Sequence, residues 1–253
     1  MSGLTDDLFR IIRGTWGDCL VTMILLLGPA FLMPAPFDSG NAGVLPFLIS
    51  PFVCVLFVPY FCRQCTSDAR TTILMVGWFS LVIGLVFVVG YALFGSPRPL
   101  AALKGTMVIY SLSVLVSGLY VLTHRLYGST SLSQWGSTIA GLLLTGSFVY
   151  LSPVADLLYA DRGTRNLVIA FATELNPVLA LSGGILQQDL LRGAFLYEHL
   201  SIGRYYAYNA PSWIRIVLSY IVLGCAMYGI CRWINVNHQE QAPGETNTEI
   251  RNG

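Results

Sequence analysis

The stretch Thr71–Phe94, "TTILMVGWFSLVIGLVFVVGYALF", decides the fold. It has no Asp, Glu, Lys or Arg, and it exceeds the roughly 20 helical residues that cross about 30 Å of hydrocarbon. The rest of the chain has the same character: 55% of its 253 residues are hydrophobic, 11% are charged, and the mean hydropathy is +0.65. Soluble domains carry roughly 25% charged residues. The composition therefore predicts an all-α, polytopic membrane protein.

Outward from this stretch, the chain contains six apolar segments that we interpret as transmembrane helices. Their approximate limits are Cys19–Pro36, Val44–Cys62, Thr71–Phe94, Thr106–Thr123, Trp135–Leu151 and Trp213–Trp233. Pro and Gly inside the first, second and fifth segments are compatible with spans, because neighbouring helices and polar side chains satisfy freed backbone groups. The predicted organisation is an interfacial helix (1–17), a five-span bundle (18–154), external re-entrant or interfacial helices (155–212), a sixth transmembrane helix (213–234) and a disordered tail (235–253).

The distribution of cations predicts the orientation. With a cytoplasmic N-terminus, the inner membrane-flanking segments carry six arginines, whereas the two short outer loops carry only Arg98 and Lys104. The long outer segment between the fifth and sixth spans carries four more arginines, but long segments count little in this rule. We therefore expect both termini in the cytoplasm. The N-terminus lacks the positive region of a signal peptide, so we interpret the first span as a retained anchor. A net charge of +1 offers no basic surface for nucleic acid, which we do not expect as a partner.

The N-terminal sequence "LTDDLFRIIRGTW" predicts an amphipathic helix. Its apolar residues recur at helical spacing, its charged residues take the other side, and Thr5 is suited to the N-cap. One interpretation is an anchor on the inner membrane surface. The other is a helix that is pushed by a cytoplasmic partner.

Cys62 and Cys65 form a C-x-x-C pair at the end of the second span. A redox site needs a thioredoxin-like βαβ context, and a zinc site needs a second pair of ligands. Neither pattern is present, so we predict no metal site and interpret the pair as the edge of a membrane helix.

The segment between the fifth and sixth spans is too polar for one span and too apolar for a loose loop. Two helix-like pieces, "TRNLVIAFATEL" and "PVLALSGGILQQDLLRGAFLY", are separated where Asn176 precedes Pro177. Short apolar pieces of this kind are typical of re-entrant or interfacial helices. They would form either a cap over the bundle or an external gate beside a translocation path.

This layout resembles the permease subunit of a type-2 ATP-binding-cassette (ABC) transporter. In that family a fifth span is followed by short external helices, often with an Asn-Pro near their start, and then by a final helix. Asn176 and Pro177 match the Asn-Pro, and Pro211 and Trp213 match the Pro and aromatic residue that commonly open the last helix. The resemblance covers the whole chain in layout and is most specific in this last quarter.

The resemblance implies an exporter permease in a bacterial inner membrane, paired with a second permease chain and with separate ATPase subunits. The chain has no G-x-x-x-x-G-K-[ST] motif, so ATP and Mg would be bound by the partner. We expect no enzymatic activity in the chain itself. The implied residues fall into three groups: coupling to the ATPase (Arg10, Arg13, Arg63, Asp68, Arg70 and Arg125), the external gate (Asn176, Pro177, Gly183, Gly184 and Pro211) and helix packing (Gly136, Gly141 and Gly146).

Two other functions stay open. A membrane scaffold or assembly subunit would explain spans that are hydrophobic on all sides. An interfacial lipid-modifying enzyme could use Asp156 and Asp161 with a metal, although their neighbours Arg162 and Arg165 make surface ion pairing the simpler explanation.

Overall fold

The structure is a computed structural model that describes residues 17, 20–26, 28, 45–64, 69–94, 99–158, 161–187 and 208–240. Within these ranges all regular secondary structure is helical, which confirms the all-α class. The elements are α1 (Leu45–Gln64), α2 (Ala69–Phe94), α3 (Pro99–Tyr127), α4 (Thr130–Thr145), α5 (Ser147–Tyr150), α6 (Ser152–Leu157), α7 (Arg162–Glu174), α8 (Pro177–Leu179), a π-helical segment (Ala180–Ile185) and α9 (Trp213–Glu240).

Four of these helices, α1, α2, α3 and α9, are long and apolar enough to cross a membrane. Two further spans result if each of two bent helix pairs is counted as one, Thr130–Thr145 with Ser147–Leu157 and Arg162–Glu174 with Pro177–Ile185. The chain is thus an integral membrane protein with four to six apolar helices of this kind. The predicted interfacial helix, including Arg10 and Arg13, lies outside the described residues except for Gly17, as do Asp68 and most of the first predicted span.

Several predicted boundaries differ from those in the structure. The predicted fifth span, Trp135–Leu151, is not one helix: α4 ends at Thr145, and the chain bends by 68° at Gly146. At 1.5 Å per residue the 16 residues of α4 reach only about 24 Å. At the C-terminus, α9 continues to Glu240, so the predicted tail from 235 begins as helix.

The order of contacts along the helices gives the topology. Helices α1 and α3 run parallel, since their contacts follow the same order on both: Phe47 with Gly105, Cys54 with Ser113, and Arg63 with Tyr120. Helices α3 and α9 also run parallel, through Lys104 with Trp213, Gly118 with Gly224, Ser117 with Tyr228, and Arg125 with Cys231. The pairs Gly84 with Thr106 and Gly77 with Tyr110 make α2 antiparallel to α3.

Helix α3 is the centre of the bundle, because α1, α2, α4 and α9 all pack against it. Its buried hydroxyls at Ser111, Ser113 and Ser117 donate to carbonyl oxygens of their own helix, so they need no water. At its crossing with α9, a Cβ at Gly118 would lie 3.0 Å from the carbonyl oxygen of Gly224. Small residues at such crossings allow the backbones of membrane helices to pack directly.

A two-residue turn joins α3 to α4 and makes them antiparallel. Gly128 has a φ of +67°, a left-handed conformation that glycine adopts without a steric penalty. Ser129 then caps α4 by accepting a hydrogen bond from the backbone N–H of Leu132.

The outer faces of the helices are apolar. Only 22% of the spanning part of α9 is buried inside the chain, against 50–61% for α1, α2 and α3. Most of α9 is therefore available to lipid or to another apolar partner.

Candidate functional site

Two helix breaks meet inside the molecule. The first is at Gly146, between α4 and α5, and the second is at Asn176, between α7 and α8, where the chain bends by 62°. A break at membrane depth exposes backbone N–H and C=O groups that water cannot reach, so it persists only where protein groups satisfy them. The two breaks, with the side chains that pair their backbone groups, are called the break junction below.

Asn176 links the two breaks and is completely buried. Its Oδ1 accepts hydrogen bonds from the N–H groups of Val178 (2.9 Å) and Leu179 (3.1 Å), which makes Asn176 the N-cap of α8. Its Nδ2 donates to the carbonyl oxygens of Leu144 (3.1 Å) and Thr145 (2.9 Å), the last turn of α4. One side chain therefore ends one helix and begins another.

Ser147 and Tyr220 complete the break junction. The Asn176 Nδ2 also lies 2.9 Å from Ser147 Oγ. Its two hydrogens therefore face three acceptors, and one hydrogen is shared between two of them. Ser147 Oγ in turn donates to the carbonyl oxygen of Ala172 at 2.8 Å, and the Tyr220 hydroxyl of α9 donates to that of Leu175. The last carbonyl groups of α7 are thus paired by side chains from two other helices.

An apolar cluster packs beside the break junction and excludes water from it. Its buried members are Phe148, Ala155, Ile169, Ala172, Val178 and Leu179. Hydrogen bonds in such surroundings cannot be replaced by bonds to solvent, so losing one partner leaves the other unsatisfied.

The predicted gate residues are brought together in the structure. Pro177 occupies the first turn of α8, where its missing N–H has no consequence. Farther along, a Cβ at Gly183 would lie 2.6 Å from Ala210 Cβ, and one at Gly184 would lie 2.6 Å from the carbonyl oxygen of Pro211. Both glycines belong to the π-helical segment, a form often found at functional positions. Gly183 and Gly184 therefore allow the π-helical segment to lie directly on the chain that enters α9.

The three glycines predicted for helix packing have different surroundings. Gly141 lies against α1, where a Cβ would come 2.5 Å from Val55 Cγ1. Gly146 is the break itself, and a Cβ at Gly136 would meet nothing within 4 Å. Gly118 and Gly224, which bring α3 and α9 together, were not singled out by the sequence, although both are small residues inside predicted spans.

Ionic contacts lie beside the break junction, at the start of α3 and α9. Lys104 Nζ is 5.5 Å from the centroid of the Trp213 ring, and Arg215 forms an exposed ion pair with Glu174 at 3.6 Å. Asp161 caps α7: hydrogen bonds from the Thr164 hydroxyl, then from its N–H and that of Gly163, hold the pKa of this carboxyl below its usual value.

The opposite end of the bundle carries the described coupling candidates. Arg63 is exposed at the end of α1, and Arg125 is exposed near the end of α3, beside the partly buried His124. Arg232, near the end of α9, is also exposed. Arg70 belongs to the first turn of α2 at this end. These residues define what we call the cationic end.

Two further motifs were considered as possible chemical sites, the C-x-x-C pair and the pair of aspartates, and the structure shows the positions of three of their four residues. Cys62 is buried in α1, and Cys65 lies outside the described residues. Asp156 and Asp161 are exposed, and Asp161 acts as a helix cap. In the part of the chain that the structure describes, no group of three His, Cys, Asp or Glu side chains could hold a metal ion.

Comparison of the chain with protein-family models, with curated proteins and with solved structures finds no match. Function is therefore inferred from the residues and geometry of this chain.

Proposed function

We propose that the chain is the membrane-spanning permease subunit of an ABC-type exporter, driven by a separate ATPase. The observation that carries the proposal is the bent helix pair at Asn176–Pro177, which leads through the π-helical segment into the last helix. This is the position at which the resembling family has its external helices. Broken helices buried within a bundle are also common beside the pathways of transporters.

The cationic end is the proposed docking surface for the ATPase. In the orientation expected from the arginine distribution it faces the cytoplasm, where Arg63 and Arg125 can contact acidic groups of a soluble partner. Arg10, Arg13, Asp68 and Arg70 complete the proposed coupling set. ATP-driven movement would enter here and reach the gate residues through α3 and α9, which pack along their length.

The break junction is the proposed support of the external gate. Asn176 fixes α8 to the end of α4, so the π-helical segment starts from a rigid point. Gly183 and Gly184 then set its distance from Pro211. A second permease chain, of the same or another kind, would close the path on the apolar side of the bundle.

The test is to tag the chain in its own host, solubilise it in mild detergent, and identify copurifying proteins by mass spectrometry. We expect a stoichiometric P-loop subunit and ATP hydrolysis that vanadate inhibits. Arg125→Glu should release the ATPase, whereas Arg215→Glu, a matched reversal beside the break junction, should not. A stable complex without an ATPase would contradict the proposal.

A membrane scaffold is the second candidate, and one observation favours it. The buried serines of α3 donate to their own helix instead of lining a polar passage. A scaffold would copurify with membrane partners and without nucleotide hydrolysis, so the same experiment separates the two functions.

A further inference from the structure

Two polar atoms at the cationic end are buried without a hydrogen-bond partner, the Tyr120 hydroxyl and His124 Nδ1. Tyr120 is 1% exposed, and its ring is stacked on that of His124 with centroids 6.1 Å apart. A buried polar group without a partner destabilises the fold, so such groups are usually explained by a ligand, a water or a function.

Among the residues that the structure describes, the charges near these two atoms are positive. Arg63 lies close enough to Tyr120 to interact with it electrostatically, and Arg125 follows His124 in α3. The carboxylates whose side chains the structure describes, Asp156, Asp161 and Glu174, all follow the break at Gly146 and lie away from this end. Two unpaired polar atoms near Arg63, on a helix that also carries Arg125 at the same end, match a phosphate group, which accepts several hydrogen bonds and carries negative charge.

The depth of the site matches the headgroup layer of a membrane. Helix α3 has 29 residues and is about 43 Å long, so its ends extend beyond about 30 Å of hydrocarbon. Tyr127, Trp135 and Trp233 are exposed near the same end, as in the aromatic belt at a membrane–water interface. By this geometry His124 lies about 4.5 Å from the end of α3, in the part that extends beyond the hydrocarbon, and Tyr120 lies one helical turn deeper.

We propose that Tyr120, His124, Arg63 and Arg125 bind a phosphate group, supplied by the headgroup of an anionic phospholipid. In this site the Tyr120 hydroxyl and the Nδ1–H of His124 donate to phosphate oxygens, and the two guanidinium groups form ion pairs at the surface. Basic sites between membrane helices are known to take anionic headgroups. This inference does not depend on the proposed function, because it concerns the chain without an ATPase.

The experiment titrates the purified full chain in neutral detergent with phosphatidylglycerol, phosphatidylcholine or inorganic phosphate, and follows the midpoint of thermal unfolding. A ligand that binds the folded chain raises this midpoint. We expect phosphatidylglycerol to raise it and phosphatidylcholine to leave it nearly unchanged. If inorganic phosphate alone gives the full shift, the site stands and its ligand is the free ion.

Variants test the site residue by residue. Tyr120→Phe should weaken the apparent affinity for phosphatidylglycerol about tenfold, the value of a hydrogen bond to a charged group. His124→Gln, whose amide takes the place of Nε2 and not of Nδ1, should weaken this affinity to a similar degree. It serves as the second test if Tyr120→Phe folds poorly. Tyr110→Phe on the same helix and Arg215→Gln beside the break junction are the controls and should bind normally.

Two results would overturn the inference. One is an equal response to phosphatidylglycerol and phosphatidylcholine with no response to phosphate. The other is full affinity in both Tyr120→Phe and His124→Gln, since the arginines would then attract anions without any built site.

Discussion

Buried polar groups are paired at the break junction, whereas two of them are unpaired at the cationic end. At the break junction, Asn176, Ser147 and Tyr220 pair the backbone groups that two helix breaks expose. At the cationic end, Tyr120 and His124 keep unpaired polar atoms in a buried position. The first region is complete within the chain, whereas the second has the form of a site that a ligand completes.

The difference separates a structural role from a binding role. Side chains of the break junction should affect the free energy of unfolding strongly, because each one satisfies a partner that solvent cannot reach. Polar atoms at the cationic end should contribute little to folding and much to the response to anions.

Asn176→Ala should lower the free energy of unfolding by roughly 3–5 kcal/mol, because it removes the cap of α8 and unpairs two carbonyl groups of α4. Asn176→Ser retains a capping oxygen but cannot reach α4, so it should lose roughly half as much. The free energy of unfolding of both variants is measured in mixed micelles with an increasing fraction of a denaturing detergent. Equal losses in the two variants would show that the link to α4 contributes nothing.

Gly184→Ala should destabilise the chain by about 1–3 kcal/mol, since the new Cβ would lie 2.6 Å from a backbone oxygen that cannot turn away. The matched control is Gly136→Ala, which has open space and should be neutral or stabilising by up to about 1 kcal/mol. The same unfolding assay applies. If both variants behave alike, the π-helical segment does not lie against Pro211 as described.

Tyr220→Phe should destabilise by about 1–2 kcal/mol, because it leaves the carbonyl oxygen of Leu175 without its donor. Tyr110→Phe, on α3, provides the comparison with a partly exposed phenol. Hydrogen exchange of the amides in α7 and α8 should rise in the Tyr220 variant alone. Unchanged exchange there would argue that α9 does not hold the second break.

Asp161→Asn should have the smallest effect on stability, and this effect should depend on pH. Its pKa is lowered in the folded chain, so its stabilising contribution is full above the unfolded value of roughly 4 and is lost as the pH falls through the folded value. The stability difference between the wild type and Asp161→Asn should therefore shrink below about pH 4. A difference that stays constant through this range would contradict the capping role.

The sequence predicts the long apolar helices well, because a run such as Thr71–Phe94 has one physical solution in a membrane. It also locates the second break, since the residue before Pro177 disfavours helix. It misses the first break, because the small residues Thr145, Gly146 and Ser147 lie between two apolar runs and are compatible with an unbroken membrane helix. The function and the coupling residues stay predictions.

Parts of the site depend on contacts that no local pattern encodes. Ser147 and Tyr220 gain their roles only when the fold brings the carbonyl groups at the end of α7 to them. Likewise, His124 is an unremarked residue at the end of a span until α1 brings Arg63 to the neighbouring Tyr120. Tertiary structure creates both regions from residues far apart in the sequence.

The contrast between the two regions is tested most directly by measuring Asn176→Ala and Tyr120→Phe side by side in nanodiscs of neutral phosphatidylcholine. We predict a large loss of stability for Asn176→Ala and no loss, or a slight gain, for Tyr120→Phe, which removes an unpaired buried hydroxyl. A loss in Tyr120→Phe as large as that in Asn176→Ala would show that both regions are structural and would contradict the account.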